Sequence, residues 1–191
     1  MSTSFLVFCG IVAAVALERG LELVIANRHA AKAFEQGGVE EGMPHYRVMK
    51  LLHASFLVAG PLEVWFFDRP FIPALGIAMT VVLLGTMGLR YWVIATLGWR
   101  WNTRIIVVPG LGPVTGGPYR YIRHPNYVAV VLELAAIPLI HSAWLTAILY
   151  GVANLLLLRT RILAEEQALK KHCGYDDAMG DKGRFIPGGA E

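Results

Sequence analysis

Residues 127–158 read Y-V-A-V-V-L-E-L-A-A-I-P-L-I-H-S-A-W-L-T-A-I-L-Y-G-V-A-N-L-L-L-L, and the path of this run through a bilayer decides the fold. As one helix it would extend about 48 Å at 1.5 Å per residue, too long for a single crossing of a ~30 Å hydrocarbon core. Pro138 and the I-H-S sequence at 140–142 interrupt it near the middle. The run therefore predicts a helical hairpin, with one arm from Tyr127 to Leu139 and the other from Ala143 to Leu158. Each arm is short, so its polar end reaches a thinned or water-filled region. From Arg159 a polar helix continues to about His172, and a Gly-rich tail ends at R-F-I-P-G.

Upstream lie three more apolar runs. Span one covers roughly Phe5 to Ala26 and is apolar apart from Glu18, Arg19 and Glu22; a polar loop from Asn27 to Arg47 follows, with G-G at 37–38 and Pro44. Span two, about Leu51 to Phe67, contains His53 and Glu63, and the D-R-P turn at 68–70 permits only a tight reversal. Span three, about Ile72 to Leu97, carries Arg90, Tyr91 and Trp92 and is long enough to tilt. The longest non-apolar segment, Gly98 to Asn126, holds W-R-W-N-T-R at 99–104 and P-G-L-G-P at 109–113.

Composition agrees with a membrane protein. Of the 191 residues 55% are hydrophobic and 16% charged, against about 25% charged in soluble domains, and the mean hydropathy is +0.52. The net charge of +3 does not point to nucleic acid, because the cations sit in short loops beside apolar runs. Cys9 and Cys173, at opposite ends, build neither a disulfide framework nor a metal-ligand spacing. The N-terminus lacks the features of a cleaved signal peptide, so the first run is expected to be a retained anchor.

Lys plus Arg in the successive polar segments number 0 (1–4), 4 (27–50), 1 (68–71), 4 (98–126), 0 (140–142) and 6 (159–191). This alternation predicts an all-α integral membrane protein of five transmembrane helices, with the N-terminus outside and the C-terminus cytoplasmic. It forms one domain over 1–191, the first three spans in 1–97 and the loop, hairpin and C-terminal helix in 98–191. The expected location is the cell (inner) membrane, with the polar clusters facing the cytoplasm.

The first cluster is G-G-P-Y-R-Y-I-R-H-P-N-Y at 116–127. Pro125 biases His124 away from the helical region and starts a helix there. The first-turn N–H groups favour an anion, Arg123 and His124 add charge-assisted hydrogen bonds, and Tyr119 and Tyr127 offer rings and hydroxyls. Singly, each residue fits a juxtamembrane anchor equally well; the density of the run exceeds what anchoring requires. The second cluster, R-T-R-I-L-A-E-E at 159–166, has helical spacing. Arg161 and Glu165 are i,i+4 neighbours, so Arg161 holds one of Glu165 and Glu166 and leaves the other for a ligand, or the pattern is only a solvated salt bridge.

Charges inside spans mark function or a buried pair. Glu18, Glu22 and Arg90 fit an ion pair between spans one and three, or snorkelling to the interface, and Glu63 reads as structural. Glu133, two turns into span four, is either a binding or catalytic carboxylate or a helix-packing group.

The pattern G-P-Y-R-Y-I-R-H-P-N-Y, two apolar arms, then R-x-x-x-E-E resembles the isoprenylcysteine carboxyl methyltransferase family of integral membrane enzymes, whose wider group includes phospholipid N-methyltransferases. The resemblance covers about Gly98 to Pro187. It implies S-adenosylmethionine as methyl donor at the cytoplasmic face, with Tyr119, His124, Pro125 and Tyr127, joined by Arg161, Glu165 and Glu166, lining its site. W-N-T-R-I-I-V-V-P-G at 101–110 and the A-N-R-H-A and G-G-V-E segments are similar to a bacterial branch accompanying type III polyketide synthases, which methylates long-chain alkylpyrones or alkylresorcinols on oxygen.

Such acceptors dissolve in the bilayer and present only a polar head, so an intramembrane site admits them sideways. A hydroxypyrone reacts as its anion, whereas a phenol with a pKa near 10 benefits from a base. Glu133 is the candidate base and Arg104 the candidate partner of the oxyanion. Trp92, Trp99 and Trp101 are candidate rings for the acceptor's head, with interfacial anchoring as the alternative. Competing functions are methylation of a prenylated cysteine or a phospholipid amine, and non-catalytic lipid binding. A transporter is disfavoured by the absence of repeated halves.

Overall fold

The computed structural model describes residues 2–188, with side chains at all of these positions except 43–45. Helix α1, Thr3–Glu35, starts where the Ser2 hydroxyl accepts a hydrogen bond from the Phe5 N–H at 3.3 Å, an ordinary N-cap. It does not stop at Ala26. The segment N-R-H-A-A-K-A-F-E is rich in strong helix formers, and Ala26, Ala30 and Ala33 keep a buried stripe of small side chains. The helix ends at the glycine pair, where Gly37 has φ +79° and the Gly38 N–H bonds the Ala33 carbonyl at 2.8 Å. A Cβ at Gly38 would lie 2.7 Å from that oxygen. Most of the loop expected over 27–47 is thus helix.

What remains of it contains strand β1, Val39–Glu41, which pairs antiparallel with β2, Ile105–Val107, in the register Val39↔Val107 and Glu41↔Ile105. This two-stranded ribbon of three-residue strands is a local addition to a chain that is otherwise helical, as expected of an all-α membrane protein. The β-branched I-I-V-V run at 105–108 was the ribbon's sequence signal.

Helix α2, Met43–Phe66, and helix α3, Pro73–Leu97, are joined through Asp68 at φ +46°. Helix α4, Pro125–Leu139, and helix α5, Trp144–Cys173, form the expected hairpin, turning through Ser142 at φ +57° with Ala143 N–H donating to the Pro138 carbonyl at 2.9 Å. The polar stretch after Leu158 continues α5 without a break, and a short helix α6, Tyr175–Met179, follows. The start of α5 is capped from another helix: the Glu63 carboxylate accepts from Leu145 N–H at 3.1 Å and Thr146 N–H at 2.6 Å. Glu63 is therefore a structural residue, neutralised further by Arg69 at 2.9 Å.

Among the described residues, four helices are long and apolar enough to cross a membrane: α1, residues Tyr46–Phe66 of α2, α3 with its 3-10 extension to Arg100, and α5. Helix α4 is apolar but has only 15 residues, about 22 Å. The hairpin tip packs on the first turn of α1, with His141 Nε2 3.2 Å from Ser4 Oγ and its ring against Phe5, Phe8 and Phe71. The core between α1, α2, α3 and α4 is Phe8, Val12, Phe56, Leu83, Leu134 and Ile137. Only 22% of each spanning window is buried. The remaining apolar side chains, Leu17, Leu51, Phe66 and Leu156 among them, point outward, as on helices surrounded by lipid.

Candidate functional site

The loop before α4 is shaped by glycine. Gly117 has φ +54°, and a Cβ there would run into the Thr96 side chain, so only glycine lets the 3-10 turn Gly117–Arg120 close against α3. His124 stands at the N-cap position of α4 and Pro125 in its first turn, as the sequence predicts. The tail then lies along the loop: Arg123 N–H donates to the Gly183 carbonyl at 3.0 Å and His124 N–H to the Arg184 carbonyl at 3.1 Å.

These backbone bonds bring two arginines and a histidine to one carboxylate. Glu166 is 3.0 Å from His124 Nε2, accepts from Arg184 Nε and Nη2 at 3.0 and 2.8 Å, and lies 3.7 Å from Arg123 Nη1. Glu166 is buried. Arg161 holds neither carboxylate directly. Its Nε donates to the Tyr127 hydroxyl at 3.0 Å and its Nη2 to the Thr103 carbonyl at 2.7 Å, while Tyr127 donates to Glu165. The sequence-based expectation of an arginine-held carboxylate is corrected: a tyrosine stands between Arg161 and Glu165, and the tail's Arg184 holds Glu166.

Three adjoining cavities meet at these residues. The outer one encloses about 970 Å³ of space, part of it open, and is lined by Tyr119, Arg123, His124, Glu165, Asn102 and Arg104, with Leu111, Leu169 and Met179 as apolar walls. Arg123 Nε and the Tyr175 hydroxyl are buried there without a protein partner among the described residues. Burial, with Glu165 nearby, raises the pKa of Tyr119 and Tyr175 well above the usual phenol value, so both stay neutral. A passage of about 420 Å³, bordered by Trp101, Asn126, Tyr127 and Arg161, leads inward. It shares Trp101, Asn126, Tyr127 and Arg161 with a chamber of about 1340 Å³, part of it open, between α1, α2 and α5, where Leu23, Leu57, Leu157 and Leu158 accompany Arg19, His53 and Arg90.

The other candidate residues are dispersed. Arg104 lines the outer cavity but is paired with Glu40 at 3.0 Å and lies over the Phe34 ring. Glu133 lines none of the three cavities; it is buried behind the chamber wall, 3.4 Å from Arg19 and 3.5 Å from Arg90. Arg90 grips both oxygens of Glu22 at 2.7 and 3.0 Å, so the ion pair between spans one and three is made. Trp101 is buried and borders passage and chamber. Trp99 lines the outer cavity beneath Lys32, whereas Trp92 is exposed and lines none of the three. Sequence reasoning missed Arg184, Thr103, Tyr175 and Asn154. For Arg184 the signal was available, a lone arginine in a Gly-rich tail.

Fold and site define a helical integral membrane protein in which a loop-lined cavity bearing Arg123, His124 and Glu165 adjoins a mostly apolar chamber. A sequence model of the isoprenylcysteine carboxyl methyltransferase family matches residues 77–171, taking in both polar clusters. A Bacillus subtilis (strain 168) protein, YpbQ, described as uncharacterized, is 37% identical over 163 residues, 85% of this chain and 96% of its own length. An uncharacterized protein of Haemophilus influenzae (strain ATCC 51907 / DSM 11121 / KW20 / Rd) is 26% identical over 152 residues, 79% of this chain and 88% of its own length. The chain belongs to the isoprenylcysteine carboxyl methyltransferase family, and is thereby placed among membrane methyltransferases.

Proposed function

We propose that the protein is an S-adenosylmethionine-dependent methyltransferase acting on an oxygen in the polar head of a lipophilic molecule, in the first instance a long-chain alkylpyrone or alkylresorcinol. The observation that carries this reading is the narrow pocket between Trp101 and Tyr127, which shares Arg123 and Glu165 with the loop-lined cavity and Asn126 and Arg161 with the mostly apolar chamber. A charged donor and a greasy acceptor need two such compartments meeting at one narrow point, where reacting atoms are held in line.

The outer cavity fits the cofactor by the chemistry of its donors. Leu111, Leu169 and Met179 form an apolar wall for a base, Glu165 is a carboxylate for ribose hydroxyls or an ammonium, and Arg123 carries an unmatched N–H for a carboxylate. The cofactor supplies a methyl group activated on a sulfonium centre. The Glu166 cluster holds the loop and tail that shape this cavity, and Arg161 fixes Tyr127 at its inner end. Arg104 lines both the outer cavity and the passage, and Glu133 acts by positioning Arg19 and Arg90 on the chamber wall.

In the membrane this reading has five crossings, with α4 as a short fifth and the site at the cytoplasmic face of the cell membrane. It is supported by the contact of the hairpin tip with Ser4 and by the alternation of Lys and Arg between polar segments. The acceptor enters the chamber from the bilayer, and its class links the enzyme functionally to a type III polyketide synthase.

The test is titration of S-adenosylmethionine and its demethylated product into the purified protein in lipid nanodiscs, followed by transfer from labelled donor to an alkylpyrone, an alkylresorcinol, a prenylated cysteine and phosphatidylethanolamine. Saturable donor binding with label on the first two is expected. Absence of donor binding ends the reading; label only on the cysteine or the amine replaces its acceptor.

A further inference from the structure

The inner chamber is mostly apolar, yet its polar end carries side-chain atoms with nothing to bind. Asn154 is 3% exposed and Trp101 2%, and both line the chamber. Asn154 Nδ2 and Trp101 Nε1 are buried donors without a partner among the described residues, and Asn126 Oδ1 is a buried acceptor in the same condition. His53 completes the set. Its Nδ1 lies 2.8 Å from the Met49 carbonyl, and a carbonyl only accepts, so Nδ1 carries the proton and Nε2 is left as a bare acceptor. Buried polar groups are normally paired; three unmatched ones around a single chamber, with the half-buried His53 acceptor beside them, call for a ligand that matches them.

We infer that these four residues form a recognition site for a neutral, hydroxylated planar head: His53 Nε2 and Asn126 Oδ1 accept from hydroxyl groups, and Asn154 Nδ2 and Trp101 Nε1 donate to oxygens. The charges at this end are already matched. Arg19 and Arg90 are taken by Glu22 and Glu133, Arg161 by Tyr127 and Thr103, and Lys50 lies over the Tyr46 ring. Arg19 Nε also has no partner among the described residues, but the Arg19 charge is offset by Glu18, Glu22 and Glu133. The other unmatched groups are neutral, two donors and two acceptors. A trimethylammonium head has no donor to give, and neither does a carboxylate. A ring bearing hydroxyl groups supplies both kinds of partner, and the leucines beyond accommodate its alkyl tail.

This inference rests on the methyltransferase reading for its biological meaning, but its test is a binding measurement. The protein in nanodiscs is titrated with a long-chain 5-alkylresorcinol and with the dimethyl ether of the same compound, which keeps the tail and ring but lacks hydroxyl donors. The wild type is expected to prefer the diol by about tenfold, the scale of one or two buried hydrogen bonds. His53→Phe removes an acceptor and is expected to cut that preference to within about threefold. Asn154→Leu removes a donor and is expected to weaken diol and ether alike, with affinity for S-adenosylhomocysteine unchanged in both variants as the control for folding. Equal wild-type affinity for diol and ether overturns the proposal, as does a preference that survives in His53→Phe or an Asn154→Leu variant that binds both compounds as the wild type does. Loss of S-adenosylhomocysteine binding in the wild type with the diol preference intact removes the methyltransferase reading and leaves the recognition site standing.

Discussion

Arg184 holds both carboxylate oxygens of Glu166, at 3.0 and 2.8 Å, and so ties the end of the chain to the helix that bears the second polar cluster. A planar guanidinium makes this fork, and an ammonium does not. Arg184→Lys is accordingly expected to weaken S-adenosylhomocysteine binding by about tenfold, and Arg184→Ala by more. Isothermal titration in nanodiscs checks this; equal binding by all three proteins would show that the tail plays no part in shaping the cavity.

Glu165 and Glu166 are neighbours with opposite surroundings, and their glutamine variants separate accordingly. Glu166 is buried among His124, Arg123 and Arg184, so Glu166→Gln leaves cations short of their counter-charge and lowers the melting temperature. Glu165 faces the outer cavity and is held by Tyr127. Glu165→Gln is expected to keep the melting temperature within a few degrees while reducing cofactor affinity at least tenfold, the scale of a charged hydrogen bond. Thermal unfolding and titration on the same preparations decide it. Matching losses in both quantities for both variants contradict the division.

The sequence was legible where one residue type has one strong consequence. Pro138 with I-H-S marked the hairpin turn, and Pro125 marked the start of α4. Phase was harder. Glu133 lies on the hairpin arm below the R-H-P loop, but the helical turn that separates it from Tyr127 points it at Arg19 and Arg90 instead of the cavity. The end of α1 was missed because polarity after Ala26 suggested a loop, when helix propensity and a stripe of alanines continued the helix to Glu35. Arg184 could be noticed as a lone arginine in the tail, but its pairing with Glu166 was out of reach for a different reason. Its partner is set by tail backbone bonding to the loop at Arg123 and His124, which no local pattern encodes.

The cluster of Arg19, Glu22, Arg90 and Glu133 gives a third contrast. Arg90 is buried and bonded to Glu22 through two nitrogens. Breaking such a pair strands a charge, at about 3–5 kcal/mol. Glu22→Gln is therefore expected to lower the melting temperature on the order of 10 °C. Glu133 makes only long contacts to the two arginines, and Glu133→Gln is expected to cost less and to leave methyl transfer within about tenfold of the wild type, since general-base catalysis is worth a hundredfold or more. A loss beyond a hundredfold, at unchanged stability, assigns Glu133 a direct part in proton removal.

Tyr119 and Tyr175 make the protein sensitive to alkali. Burial, with Glu165 close by, holds both phenols protonated well above the ordinary value of 10.0. Below about pH 10 folded and unfolded chains both keep these protons, and stability does not respond to them. Above about pH 10 the unfolded chain releases its protons while the folded one retains them. The unfolded state then binds fewer protons, and stability falls as pH rises. Melting temperatures recorded from pH 8 to 11 are expected to decline in the wild type once pH passes about 10. The decline should be shallower in Tyr119→Phe or Tyr175→Phe and shallowest in the double variant. Superimposable curves for all four proteins would mean that neither hydroxyl is held in its neutral form by the fold, and that the wall of the outer cavity is wetter than its packing implies.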